Sequence, residues 1–128
     1  MKTIRLRKDI DELFAGRRSL ARSGNQTATI SSLYFLRPLL EDDEPLLILF
    51  HAPKKNIPKA HERNKVKRWM REAVKQNEEL SRIESALKEK NKQVLLLLRG
   101  DFKPSKEHSW QEIRSDINII AGSLGKKT

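Results

Sequence analysis

The chain of 128 residues contains no cysteine, which excludes disulfide bonds and cysteine-ligated zinc. Aromatic residues make up only 5% of it, and its longest apolar runs, at 45–50 and 94–98, are far shorter than the roughly 20 residues of a membrane-spanning helix. No basic-then-apolar signal segment opens the sequence either. We therefore expect one domain over residues 1–128, in a reducing, cytoplasmic compartment and without membrane contact.

Basic residues are abundant and unevenly distributed. Lys and Arg number 27 against 17 Asp and Glu, a net charge of +10. Residues 54–75 alone carry +7 and residues 1–22 carry +4, whereas residues 41–44 are four consecutive acids. A polyanion is the partner that such an excess favours, whether nucleic acid, an anionic membrane or an acidic protein. Because the charge is concentrated in one segment, we predict a dedicated binding face.

The succession of hydrophobic patterns predicts an α+β fold. Helical spacing is found at 8–15, from 60 to about 77 and from 110 to 124, and strand-like runs at 17–24, 28–36, 46–50 and 93–98. After residue 77 the second helix either continues or restarts through 80–87, and residues 125–128 are typical of a frayed, basic end. The order α-β-β-β-α-β-α predicts a two-layer α/β sandwich, in which a small mixed sheet carries the basic helix and two further helices.

The helix predicted from residue 60 is amphipathic, with one face almost wholly cationic. At about 100° per residue, Val66, Trp69 and Met70 share the apolar face. The opposite side carries Asn64, Lys67, Arg68, Arg71 and Lys75, with Lys65 and Glu72 on its flank. Like charges three or four residues apart destabilise a helix, so their uniform sign favours an anionic ligand over a merely solvated face. The apolar face is needed for the core, which argues against a membrane-surface helix, and the Asn64 amide can bond a base edge or a 2′-hydroxyl.

Residues 54–72, with the sequence KKNIPKAHERNKVKRWMRE, closely resemble the signature of the bacterial ribonuclease P protein component. The matching positions are Lys54, Lys55, Lys59, Ala60, Arg63, Asn64, Lys65, Lys67, Arg68, Arg71 and Glu72. The predicted order of elements also agrees with that family. Two positions depart from its pattern: Pro58 replaces a usual glycine, and Ile10 replaces one of two aromatic residues in the first helix.

The resemblance implies a division of labour between protein and RNA. A catalytic RNA would remove the 5′ leader of precursor tRNA with Mg²⁺, and one protein per RNA would assist without supplying a catalytic residue. The residues implied to contact the catalytic RNA are Arg63, Asn64, Lys65, Lys67, Arg68 and Arg71, extended towards the substrate by Lys54, Lys55 and Lys59. Phe14, Ile10 and Tyr34 would line a cleft for the single-stranded leader, although Phe14 is an equally good core residue.

Two other classes of function remain open at this stage: a general RNA-binding or ribosome-associated module, and a protein-only nuclease. The three histidines, His51, His61 and His108, have no metal-ligand spacing. Asp42 and Asp43 fit an exposed acidic turn better than a metal site, and no carboxylate pair indicates acid–base catalysis. Leader-dependent binding would distinguish the ribonuclease P function from the first class, and cleavage by the RNA-free chain would establish the second.

Overall fold

The computed structural model describes residues 2–4, 7–15, 18–19, 30–102 and 110–128. Its elements are β1 (Lys2–Thr3), α1 (Arg7–Ala15), β2 (Arg18–Ser19), β3 (Ile30–Pro38), β4 (Leu46–His51), α2 (Ala60–Lys75), α3 (Glu78–Glu89), β5 (Lys92–Gly100) and α4 (Trp110–Lys127). This order confirms the predicted succession and adds β1 and a separate α3. The strand predicted at 17–24 is described only at 18–19, and His108 lies outside the described residues.

The five strands form one mixed sheet in the order β1-β4-β5-β3-β2. β4 pairs in parallel with both β1 and β5, whereas β3 pairs antiparallel with β5 and β2. β5 is the central strand, and its residues 93–98 are all buried. Burial on both faces explains why this strand is continuously apolar in sequence instead of alternating.

Helices cover both faces of this sheet. α2, α3 and α4 pack on one face over the larger core, to which Tyr34, Ile48 and Leu96 belong. The other face carries a smaller core of Ile4, Leu13, Leu47, Leu95 and Leu97, and α1 contributes Leu13 to it. The structure confirms the predicted α+β class. The predicted two layers are the sheet and, on one of its faces, the helices α2, α3 and α4. α1 lies on the opposite side, where it forms a partial third layer.

A buried asparagine separates α2 from α3. Asn77 caps α3, because its side-chain oxygen accepts a hydrogen bond of 2.9 Å from the Leu80 amide. Its side-chain nitrogen donates to Asn118 Oδ1 of α4, at 2.5 Å. Asn77 is only 6% exposed, and its bond with the Leu80 amide is buried. The helical pattern that begins at residue 60 therefore ends at Lys75 and restarts.

The C-terminal helix is longer than the sequence predicts. α4 extends to Lys127, and Leu124 is fully buried in its last turns. Thr128 donates from both its amide and its hydroxyl to the Leu124 carbonyl, and Lys90 Nζ donates to the Thr128 carbonyl oxygen at 2.9 Å. These contacts correct the expectation of a frayed end at 125–128, because they satisfy carbonyls that an unsupported terminus leaves open.

We expect Gly100→Ala to lower the free energy of unfolding by about 1–3 kcal/mol. A Cβ at this position would lie 2.7 Å from Val66 Cγ1 and 3.0 Å from Met70 Sδ, so α2 would have to move away from β5. Chemical denaturation measures the change. Gly122→Ala is the matched control, because its Cβ would meet nothing within 4 Å. Equal destabilisation by the two substitutions would contradict the close approach of α2 to β5.

Candidate nucleic-acid interface

The polar side of α2 forms a continuous cationic surface. The helix buries Val66, Met70, Ala73 and Val74 in the larger core, which leaves its opposite side facing solvent. A shallow depression there is lined by His61, Asn64, Lys65, Lys67, Arg68 and Arg71. Apart from His61, these are residues for which RNA contact is expected. We call this set the α2 surface (Asn64, Lys65, Lys67, Arg68 and Arg71).

Few acidic side chains pair with the cations of α2, so the positive charge of the α2 surface is almost unneutralised. Glu72 Oε1 lies 3.9 Å from Lys75 Nζ, in an exposed pair at the end of the helix. Within the described ranges, Lys67, Arg68 and Arg71 form no ion pair with a carboxylate. The surface therefore holds several cationic groups that can release counterions when a phosphate backbone approaches.

Two of these cationic side chains lie over aromatic rings. Lys65 Nζ lies 5.2 Å from the centre of the Trp69 ring, and the Arg71 guanidinium carbon lies 5.4 Å from the centre of the Phe50 ring. Both rings pack with the larger core. The rings restrain these long side chains through cation–π contact, so part of the ordering cost of binding is met before a ligand arrives.

Arg63 has a structural role that the sequence analysis does not anticipate. Its Nη1 donates to the carbonyl oxygens of Ile57 and Pro58, at 2.9 and 2.7 Å. Ile57 is 1% exposed and anchors the segment that enters α2. Arg63 therefore braces the basic loop (residues 53–59), and Pro58, a departure from the family pattern, provides one of the accepting carbonyls.

A second contact fastens the basic loop to the sheet. Asn56 Nδ2 lies 2.8 Å from both carboxylate oxygens of Asp101, just beyond the end of β5. Lys54, Lys55 and Lys59 are exposed on this loop. The anchoring holds these lysines next to the first turn of α2, so the structure brings them together with the α2 surface.

His51 lies between the basic helix and the edge of the sheet. In the parallel pairing of β4 with β5, His51 is opposite Arg99. Partial burial lowers the pKa of His51, and the positive charges of Arg99 and Lys67 lower it further. The imidazole is therefore neutral at neutral pH, and the positive potential at this edge comes from Arg99 and Lys67.

The face of the sheet beneath α1 carries partly exposed apolar groups. Ile10 of α1 and Leu33, Phe35 and Leu49 of the sheet are half-buried against the smaller core, and Phe14 of α1 is 43% exposed. We call these five residues the α1-side surface. Phe14 is thus not a core residue, and its role as a leader contact stays a prediction.

Tyr34 does not belong to the α1-side surface. It is 4% exposed and lies in the larger core, on the opposite face of the sheet. Successive residues of a strand point to opposite faces, so Leu33 and Phe35 are the residues directed towards α1. The sequence does not single out Phe35, because both faces of β3 are apolar and the pattern does not reveal which face each residue occupies.

Metal-ligating side chains are not clustered in the described ranges. There, no group of three His, Asp or Glu residues is placed to hold a metal ion. Asp42, in the acidic turn, adopts a positive φ of 65° and is exposed.

The described helices include none that is long and apolar enough to cross a membrane.

A small mixed sheet with helices on both faces, and one helix whose solvent side is cationic, defines an α+β protein with a surface suited to a nucleic acid. Two solved structures share the fold. The Staphylococcus aureus RNase P protein is 17% identical, with a TM-score of 0.56 and coverage of 94% of this chain and 92% of that one. The Thermotoga maritima RNase P protein is 21% identical, with a TM-score of 0.59 and coverage of 95% and 97%.

The family model for ribonuclease P matches residues 2–124, and the chain belongs to this family. None of the curated proteins matches the chain. Its function is that of the protein subunit of ribonuclease P, which assists the catalytic RNA in removing the 5′ leader from precursor tRNA. The holoenzyme is metal-dependent, and the partners of the protein are the catalytic RNA and precursor tRNA.

Proposed function

We propose that the α2 surface docks this chain on the catalytic RNA, in a ratio of one protein per RNA. The observation that carries this proposal is the uniform sign of Lys67, Arg68 and Arg71, which form no ion pair with a carboxylate in the described part of the chain. Arginine binds phosphate through two parallel hydrogen bonds, and the Asn64 amide adds a contact to a base or ribose. The docking surface thus supplies both affinity and orientation.

The basic loop extends this surface towards the substrate. Lys54, Lys55 and Lys59 are exposed on it, and Arg63 and Asn56 hold it against the rest of the fold. Arg63 acts in two ways in this proposal: Nη1 braces the loop, and the remaining nitrogens of its guanidinium contact the RNA. Residues 1–128 act as one RNA-binding domain in the cytoplasm.

The α1-side surface receives the single-stranded leader. Phe14 offers an exposed aromatic ring for stacking on an unpaired base, and Ile10 and Phe35 provide apolar walls beside it. Phe35 takes the place that the sequence analysis gave to Tyr34. Because the α2 surface and the α1-side surface lie on different faces of the fold, the two RNAs need not compete for the same residues.

Mg²⁺ is the metal that we propose for the holoenzyme. The described residues of this chain do not fit a protein-held site, because no three potential ligands come together among them. Phosphate oxygens of the two RNAs are the chemically appropriate ligands for this hard cation. The RNAs, and not this chain, therefore hold the metal in this proposal.

We expect Phe14→Ala to weaken binding of a leader-bearing precursor tRNA by about 5- to 150-fold, which corresponds to the loss of one stacked base. The measurement is the dissociation constant of the holoenzyme reconstituted with the catalytic RNA, for precursor and mature tRNA in parallel. Mature tRNA should bind as before, because it lacks the leader.

Ile119→Ala is the matched control for this substitution, since Ile119 is 41% exposed but lies on α4. Ile119→Ala should leave the dissociation constants for precursor tRNA and for mature tRNA unchanged. If the wild-type holoenzyme bound precursor and mature tRNA equally, the α1-side surface would not be a leader site. An equal loss for both RNAs in Phe14→Ala would show that Phe14 is not a leader contact.

A further inference from the structure

One guanidinium joins three elements on the α1 side of the sheet. Arg37 of β3 donates from Nη2 to Asp9 Oδ1 at 2.8 Å and from Nη1 to Glu12 Oε2, both carboxylates of α1. Its Nε donates to Gln93 Oε1 of β5 at 2.5 Å. Gln93 is fully buried and donates in turn to the backbone carbonyl of Glu44, at 2.7 Å. Three nitrogens of Arg37 are thus committed to fixed acceptors.

The ion pair of Arg37 and Asp9 is largely shielded from water. The side chains of Arg37 and Asp9 are only 16% and 11% exposed, and that of Glu12 is 38% exposed. Burial by itself lowers the pKa of Arg37, but the hydrogen bonds and charges of Asp9 and Glu12 outweigh it and leave the pKa raised. The group stays charged, and a partly buried pair of this kind is much less screened by salt than a surface pair.

The apolar contacts of α1 are too few to set its orientation alone. Among its nine residues, Leu13 is the one apolar side chain that is fully buried, and Ile10 is half-buried. A helix this short is marginal without tertiary contacts. Asp9 and Glu12 lie three residues apart and hence on one side of the helix. A planar guanidinium bound to both carboxylates holds α1 at two points, so it opposes rotation of the helix about its axis and sliding along it. A single buried leucine holds the helix at one point only.

The orientation of α1 determines where Phe14 lies. Phe14 follows Leu13 and lies about 100° around the helix from it, at the flank of the contact with the sheet. A rotation of α1 would turn Phe14 either towards the sheet or away from it. The stacking position of Phe14 over the α1-side surface therefore depends on the contacts that stop this rotation.

We propose that Arg37 is the positioning residue for leader recognition: by holding Asp9 and Glu12 it orients α1 so that Phe14 faces the leader. The inference rests on the proposed function, since it assumes that the α1-side surface takes the leader. Arg37 itself is too enclosed by its partners to be a leader contact. Its effect on the substrate acts through α1.

The test uses the double variant Arg37→Met/Asp9→Asn, which removes the buried pair without leaving a charge in its place. Glu12 also loses Arg37, but its side chain is 38% exposed and remains hydrated. In the holoenzyme, we expect the preference for precursor over mature tRNA to fall by about fivefold or more, the equivalent of one weakened stacking contact. Affinity for the catalytic RNA should stay unchanged, because the α2 surface is not altered. Arg37→Lys should retain only part of the preference, since an ammonium group cannot span both carboxylates as a guanidinium does.

A second measurement reports the position of α1 independently of the leader. The chain has no cysteine, so Lys8→Cys on α1 and Ser115→Cys on α4 can carry a pair of spin labels without background. Both positions are exposed. We expect a single narrow distance distribution in the otherwise wild-type protein and a broadened or shifted one in Arg37→Met/Asp9→Asn. The matched control, Arg82→Met/Glu79→Gln, removes an exposed pair of 3.2 Å in α3 and should change nothing.

The outcomes separate this inference from the proposed function. A lost leader preference together with a displaced α1 supports the inference. An unchanged distance distribution, or a displaced α1 with the full leader preference, overturns it. A wild-type holoenzyme without any leader preference overturns the leader role itself, and with it the inference, whatever the labels report.

Discussion

Replacing Lys67, Arg68 and Arg71 together by alanine should weaken binding to the catalytic RNA on the order of 100-fold at physiological salt. Each phosphate contact contributes a slope of about −0.9 to the logarithmic dependence of affinity on salt. Three lost contacts should therefore reduce the magnitude of the slope by about 2.7, which at 0.15 M salt amounts to roughly two decades of affinity. The measurement is a salt titration of the dissociation constant of the protein–RNA complex.

A matched variant removes the same charge elsewhere on the molecule. Arg82, Arg114 and Lys126 are exposed on α3 and α4, away from the α2 surface, and their joint replacement by alanine should leave the salt slope unchanged. If both triple variants lowered the slope equally, binding would follow net charge and not the α2 surface. The fold of each variant is checked by thermal unfolding, because Arg71 also contacts the Phe50 ring.

Leu96→Ala should cause the largest loss of stability, about 2–5 kcal/mol. Leu96 is fully buried in the central strand β5, with Tyr34 of β3 and Ile48 of β4 as its cross-strand neighbours. Strands on both sides hold the backbone, so the cavity can collapse only in part. In a domain of this size the melting temperature should fall by roughly 10–20 °C, measured by circular dichroism.

Leu40→Ala is the control with identical chemistry. Leu40 is 67% exposed after the end of β3, so its truncation should change the free energy of unfolding by no more than about 0.5 kcal/mol. A comparable loss in the two variants would contradict the placement of the larger core around β5.

The sequence predicts α2 and its cationic side well because the signal is local. Helical spacing alone separates Val66 and Met70 from Arg68 and Arg71, and the structure places the two pairs on opposite sides of the helix. The family resemblance also depends on fixed spacing within this one segment. The family match over residues 2–124 confirms it.

Other features depend on contacts between residues that are distant in the chain. The break between α2 and α3 coincides with a hydrogen bond from Asn77 to Asn118, 41 positions away. The close approach at Gly100 depends on Val66, which belongs to another element. Hydrophobic periodicity within one segment does not show contacts with a distant segment, so the sequence alone does not decide whether the helix breaks after residue 77.

The sequence by itself determined the class of fold, the cationic helix and the RNA partner, since periodicity and motif spacing are properties of short segments. The tertiary structure alone decided which face of β3 meets α1, and so excluded Tyr34 from the α1-side surface in favour of Phe35. It also revealed that Arg63 braces a loop and that Arg37 holds α1. The physical reason is that the partner of a charged side chain is set by the packing of whole elements, and an arginine has the same local sequence signal whether it meets a carbonyl, a carboxylate or a phosphate.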